Sequence, residues 1–135
     1  MDERFLFRGK RKDNGELVEG YLYITHDGKY EIAKYCDETN IERIAYEVIP
    51  ETVGQCTGLR DKNGKLIFEG DVVFVCDDNG FADLSDTGKG NVIFYESMWY
   101  IDGEIQNLLY DICRNYYVEV IGNVHDNPEL LEVER

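Results

Sequence analysis

Glu69 and Asp71 are the residues of this chain best spaced for acid–base work. They flank Gly70, and in an extended segment residues i and i+2 point to one face, so the two can act on a common substrate. A glycosidase-type site needs two carboxylates at a set separation around a cleft. The competing reading is structural. A Gly-Asp corner launches a strand, and the Asp side chain accepts backbone N–H bonds there. With no second catalytic signature nearby, the structural role is the expectation.

The segment Cys76-Asp77-Asp78-Asn79-Gly80-Phe81-Ala82-Asp83 invites a calcium-loop reading. Such a loop needs oxygen ligands at alternating positions and glycine at the sixth. Counted from Asp77, the fifth position is Phe81 and the sixth Ala82, so the pattern fails. His26 and His125 are the two histidines, and neither has a cysteine or carboxylate at metal-ligand spacing. His125 and Asp126 are adjacent, which in a strand sends them to opposite faces. A Cys-His nucleophilic pair needs only to meet in space, and no spacing in the chain argues for one. Phosphate loops, Gly-x-Gly-x-x-Gly and His-Glu-x-x-His are absent. No catalytic residue, metal ligand or cofactor is expected.

Charge is the other chemical signal. The chain of 135 residues carries a net charge of −14. Residues 1–70 hold 11 basic and 14 acidic side chains, and residues 71–135 hold 3 basic and 14 acidic, for nets of −3 and −11. The acidic half repels phosphate backbones, which disfavours ordinary nucleic-acid binding. Either the charge keeps a small protein soluble, or an acidic face meets a basic partner or mimics nucleic acid. Asp77, Asp78, Asp83 and Asp86 are the candidate binding residues of that face. Arg4, Arg8, Lys10, Arg11 and Lys12 lie beside Phe5 and Phe7 at the other end. They read as a track for a nucleic-acid backbone or, more simply, as a solvated strand face that pairs with acidic residues of the second half.

Cys36, Cys56, Cys76 and Cys113 form no Cys-x-x-Cys pair. Residues 1–12 are charged and lack the apolar region of a signal peptide. Free thiols in a reducing cytoplasm are expected, with Cys76 and Cys113 in the core. No apolar stretch is long enough to span a membrane.

These residues need a scaffold, and the scaffold reads as β. Ten Tyr and six Phe against two Pro favour pleated, half-buried surfaces. Phe5 to Phe7 opens a strand, and Asn14-Gly15 and Asp27-Gly28 read as tight turns whose residues tolerate positive φ. Leu17 to Thr25 alternates, with Val18, Gly20, Leu22 and Ile24 on one face. Ala45 to Ile49 is a short strand ending at Pro50. Asn63-Gly64 turns between two apolar arms, and Leu66 to Cys76 is a strand bent at Gly70. Residues 77–90 form an acidic loop, and Val92–Tyr95 pairs with Met98–Ile101. Ile105, Leu108, Leu109 and Ile112 fall at helical spacing, which predicts a helix over 103–114 capped by Asp102. Tyr116 to Val124 closes the sheet, and Asn127-Pro128 starts a terminal helix. The run from Arg11 to Gly20 resembles Arg60 to Gly70, which reads as convergence on good hairpin chemistry or as a duplication.

Three segments together resemble the YopX family of phage and prophage proteins. They are Phe7-Arg8-Gly9-Lys10; the stretch from Thr52 through Gly54, Gly58, Asn63-Gly64 and Glu69-Gly70-Asp71; and Glu119 to Leu131, which contains Gly122-Asn123 and Pro128. The resemblance implies a small cytoplasmic protein of a bacterial host cell, with a C-terminal SH3-like barrel. It brings no activity and no catalytic residues, so these motif positions are read as structural. Cys56 stands where relatives usually carry an aromatic residue, a packing change.

The chain is therefore expected to be mainly β with minor α. Residues 1–50 form a β-hairpin region packed on an SH3-like β-barrel of residues 51–126, and residues 127–135 form a short helix or tail. The expected function is a non-enzymatic binding module that engages a host or phage protein through the acidic C-terminal half. The alternatives are a self-assembling homo-oligomer and, behind both, a metal-assisted hydrolase using Glu69, Asp71 and the 77–83 loop.

Overall fold

The computed structural model describes residues 3–34, 44–76 and 87–131. The chain is mainly β, with two antiparallel sheets and one short helix, and it divides into two compact units, Met1–Cys56 and Thr57–Arg135.

In the first unit, β1 (Phe7–Lys10), β2 (Leu17–Ile24), β3 (Tyr30–Lys34) and β4 (Ile44–Glu47) follow one another across the sheet in the order β4-β3-β2-β1. The start of β5 (Gly54–Arg60) pairs with β1, placing Gly54 opposite Arg8. The register sets Leu22 against Ile32 and Ile32 against Tyr46. Alternation then sends Val18 and Ile32 inward, where they join Val48 in a small buried cluster. Ile24, on the same face by alternation, is 52% exposed, because the apolar cover runs out at that end of β2.

The second unit contains the later residues of β5, which pair with β6 (Leu66–Phe68), and a five-stranded sheet. That sheet is ordered β10-β9-β8-β7-β11, from β7 (Asp71–Cys76), β8 (Gly88–Tyr95), β9 (Met98–Gly103), β10 (Asn107–Leu108) and β11 (Tyr117–Asn123). Helix α1 (Leu109–Asn115) lies between β10 and β11 in the chain. One cluster fills the interior: Ile67, Val73, Val75, Val92, Ile101, Ile105, Leu109, Ile112 and Val118. Each such side chain contributes about 1.5–3 kcal/mol on full burial, so this larger core dominates the unit's stability. No closed barrel is found among the described residues, since the five-stranded sheet ends at β10 and β11.

Two expectations are corrected. The helix begins at Leu109, six residues later than the apolar spacing predicts, and Asp102 is a strand residue rather than a cap. Pairing wins because β9 continues its ladder to Gly103 opposite Gly90, and Glu104 N–H still donates to Lys89 O at 2.9 Å. A Cβ at Gly103 would stand 2.6 Å from Gly90 Cα, so glycine is what lets the strand run that far. Ile105, Leu109 and Ile112 are buried as their spacing implies, but only the last two lie on the helix. The terminal helix is a single 3-10 turn, Pro128–Leu131.

The turns differ as well. Gly15, Gly28 and Gly64 have φ of +74°, +86° and +81°, while Asn14, Asp27 and Asn63 keep negative φ. These are three- and four-residue loops that end on a left-handed glycine, the arrangement of a type I turn followed by a bulge. The tight two-residue turn is elsewhere, at Glu96-Ser97 between β8 and β9, where Tyr95 pairs with Met98. Glu96 (φ 49°) and Ser97 (φ 67°) are both left-handed without being glycine. Side chains resist that geometry by about 1–2 kcal/mol per residue. Replacing the pair with Asn-Gly (E96N/S97G) is expected to raise the unfolding free energy by about 1–2 kcal/mol in a urea titration. An unchanged or lower midpoint would show that the turn holds no such strain.

Candidate functional site

Beyond Asn91, which pairs with Val72, strand β8 has no further register partner on β7, and β10 pairs with β9 only at Tyr100 and Ile101, so residues 94–99 of β8 and β9 form a two-stranded arm. The arm is unusually aromatic. Phe94 faces Trp99 directly across the ladder, their rings 5.0 Å apart and edge-on. Tyr95 reaches the diagonal neighbour Tyr100 at 6.1 Å. Alternation puts Phe94 and Trp99 on the side of the core residues Val92 and Ile101, and Tyr95, Met98 and Tyr100 on the other side. A lone ribbon is marginal in water, and these pairs supply what holds it, about 0.5–1.5 kcal/mol each beyond burial. Phe94 and Tyr95 remain 56% exposed and Met98 48%. Exposed aromatics grouped on one projecting element mark an interaction surface more often than chance. Glu96 at the tip and Asp102 and Glu104 further along give its surroundings a negative charge.

The residues singled out from sequence fall elsewhere. Asp77, Asp78, Asp83 and Asp86 lie outside the described residues, in the stretch that joins β7 to β8. Asp71 is fully buried, and its Oδ2 accepts the N–H of Phe68 at 2.8 Å, whereas Glu69 is half-buried in the turn before it. The two carboxylates therefore occupy different surroundings and do not share a cleft. Gly70, with φ +91°, donates its N–H to Val92 O and accepts from Val124 N–H, which ties the corner to both neighbours. Gly54 is buried in β5, and Gly58 (φ +81°) bends the same strand next to Thr57, whose hydroxyl donates to Ile67 O.

Near the C-terminus, Gly122 sits at a bulge in β11. A Cβ there would stand 2.6 Å from Asn127 Oδ1 and 2.7 Å from Leu130 Cδ1. Its absence lets the Pro128–Leu131 turn close on the strand. Asn123 Oδ1 accepts the N–H groups of His125 and Asp126 at 3.0 and 2.9 Å and so turns the chain toward Pro128.

The basic N-terminal residues form no shared track. Arg8 is buried, Arg11 pairs with Asp13 at 2.6 Å and lies over the ring of Tyr46 at 3.9 Å, and Lys12 pairs with Glu47 at 2.9 Å. Arg11 and Lys12 thus find their anions within the first unit, where strand pairing has already brought them close. The hydrogen bond from Arg11 holds the Asp13 carboxyl below its usual range.

Cys56 is buried, and Cys76 and Cys113 are half-buried. Burial, and behind it the charge of Asp61, pushes Cys113 up to about 11. At neutral pH it is a protonated thiol, the opposite of an activated nucleophile. Among the described residues no cluster of His, Cys, Asp and Glu could hold a metal, and no helix is long and apolar enough to cross a membrane.

Sequence reasoning missed Asp61. It is only 7% exposed, and its carboxylate accepts three backbone N–H groups: Asn63 and Lys65 on Oδ1, both at 2.9 Å, and Val120 on Oδ2 at 3.0 Å. Lys62 N–H donates to Val118 O beside it. The signal was present, since an Asp ahead of a turn glycine caps its own loop. The bond to β11 is 59 residues away and has no local trace.

A family model described as YopX protein matches residues 6–132. No curated protein matches. Two solved structures share the fold. Protein EF1440 from Enterococcus faecalis has a TM-score of 0.56 at 21% identity, over 93% of this chain and 96% of its own. Protein yopX from Bacillus subtilis has a TM-score of 0.56 at 17% identity, over 96% and 99%.

Asp61→Ala leaves three amides without their acceptor and is expected to lower the unfolding free energy by roughly 3 kcal/mol or more in denaturant titrations. Asn63→Ala, which alters an exposed side chain of the same loop, should change it by less than about 0.5 kcal/mol. Equal effects from the two would show that the carboxylate holds nothing together.

Proposed function

The chain belongs to the YopX family, and from that premise we propose that it is a non-enzymatic binding module that engages a protein of a phage or of its bacterial host in the cytoplasm. The aromatic arm is the observation that carries this reading. Phe94, Tyr95 and Met98 stand exposed on a ribbon only two strands wide, in a half of the chain with net charge −11. Tyr and Trp are enriched among the residues that dominate protein interfaces, because they bring large contact area at low entropic cost. The acidic surroundings add selection by charge: the fitting partner has an apolar groove with a basic rim. On this reading Asp77, Asp78, Asp83 and Asp86 speed encounter, while the arm supplies affinity.

The SH3-like barrel is the architecture proposed for residues 51–126. It is supported by the hydrogen bonds from Lys62 N–H to Val118 O and from Val120 N–H to Asp61 Oδ2, which join the β5–β6 hairpin to the β11 edge of the five-stranded sheet. Small β scaffolds of this kind commonly present grooves and edges to partners. The hydrolase reading is weakened by Asp71, whose Oδ2 is committed to a backbone amide in the interior.

Tagged protein should retain one basic partner from host lysate at moderate salt. A Phe94→Ser/Met98→Ser variant should lose it with the fold intact by circular dichroism. Neutralising Asp77, Asp78, Asp83 and Asp86 should mainly weaken capture at low salt, the signature of rim charges. Retention unaffected by the arm substitutions would overturn the proposal, and recovery of the chain's own copies alone would favour self-assembly.

A further inference from the structure

The second unit is acidic, yet its cations are gathered. Of the five Lys and Arg side chains described there, Arg60, Lys62 and Arg114 line one cleft of about 410 Å³, leaving Lys65 and Lys89 outside it. The cleft lies between the β5–β6 turn and the junction of α1 with β11, and Tyr116 and Tyr117 form part of its wall. Its volume falls in the range of small-molecule sites. Asp61 also lines it, but that carboxylate is turned inward onto the amides of Asn63, Lys65 and Val120. The mouth is thus positive in a unit that is otherwise strongly negative.

Local structure explains the gathering. Arg60 Nη1 donates to Gly64 O and braces the turn that carries Lys62. Arg114 stands in the last turn of α1, where a cation complements the helix carbonyls, and it contacts the ring of Tyr110. The helix end itself disfavours an anion, but its partial charge is small beside three full positive charges. Two carboxylates contest the site: Asp61, whose charge is felt by Cys113 in the lining, and Glu119, 3.4 Å from Lys62 Nζ with both side chains partly exposed.

We propose that this cleft is an anion site for a small molecule bearing a phosphate monoester on an aromatic or heterocyclic ring. The phosphate takes the place of the Glu119 carboxylate opposite Lys62 and reaches Arg114, with the ring against the tyrosines. Guanidinium and ammonium groups together suit a doubly charged phosphoryl group, and stacking on an aromatic wall is tolerant of ring identity. This site is separate from the aromatic arm, so the two readings stand or fall independently.

The test is a titration of the ¹⁵N-labelled full chain with inorganic phosphate and with adenosine monophosphate, followed by amide shifts. Shifts confined to residues 60–62 and 113–118 are expected, with the nucleotide binding roughly tenfold tighter than phosphate alone. Lys62→Gln and Arg114→Gln should each weaken binding about tenfold. Glu119→Gln should tighten it several-fold, which a purely structural role for these charges does not produce. Saturating phosphate with no shifts in the cleft, shifts spread evenly over surface cations, or undiminished binding by the Lys62→Gln/Arg114→Gln double variant would each overturn the assignment. A nucleotide that binds no tighter than phosphate would overturn its aromatic part.

Discussion

The second unit depends on one buried carboxylate. Asp61 is 7% exposed, and a charge taken that far out of water is costly unless hydrogen bonds replace its hydration. Three backbone amides do so, two from its own turn and one from β11. The local bonds fix a loop in which only Gly64 need be left-handed. The distant bond fixes where that loop sits against β11. Lys62 N–H and Val118 O then add a second link of the same kind. Everything around the cleft inherits its placement from this contact, because Arg60 and Lys62 flank Asp61 in the chain and Val118 and Glu119 precede the residue it holds.

The same device recurs at three other corners of the unit. Asp71 accepts from Phe68, and Asn123 accepts from His125 and Asp126. Thr57 takes the N–H of Leu59 and gives its hydroxyl hydrogen to Ile67 O. Each is a short polar side chain that satisfies backbone groups which a tight bend would otherwise strand. Beside the carboxylate and the amide stands a glycine: Gly70 before Asp71 and Gly122 before Asn123. Glycine admits the bend or the close approach, and the polar side chain completes its hydrogen bonds. The pairing gives a physical reason for the Gly-Asp and Gly-Asn dipeptides in the segments that carry the family resemblance. No chemistry has to be invoked for them.

What could be read from sequence was what local chemistry decides. Strand alternation put Val18 on one face with Gly20, Leu22 and Ile24, and turn glycines marked three of the hairpin loops. The apolar spacing of Ile105, Leu109 and Ile112 found core residues correctly. It misplaced the helix start, because a ladder between Gly103 and Gly90 is a long-range fact that the 3.6-residue period does not contain. Asp61 looked like an ordinary turn residue, since its decisive partner is across the fold. The aromatic arm was seen only as a pair of strands. Its meaning comes from where β7 stops pairing with β8, and no residue type announces that. Asp77, Asp78, Asp83 and Asp86, read as the binding residues of the acidic face, lie outside the described residues, while the cations gathered in the cleft were invisible as scattered letters at positions 60, 62 and 114.

The Glu96-Ser97 turn is a place where this chain does not take the most stable choice open to it. Hairpin glycines at Gly15, Gly28 and Gly64 show that loop glycines are available to this sequence. At the tip of the arm the left-handed positions instead carry a charged and a hydroxylated side chain, at a steric cost that Asn-Gly would avoid. Strain of this kind persists only where surrounding contacts over-determine it. Here the cross-strand pairs of Phe94 with Trp99 and Tyr95 with Tyr100 do that. The aromatics thus hold a strained tip in place while leaving much of their own surface open. A glycine tip would bring no charge to the arm, whereas Glu96 puts an anion beside exposed Tyr95 and Met98. An arm built for stability alone would have neither the strain nor the exposure, and both become intelligible if the tip is shaped to meet something else.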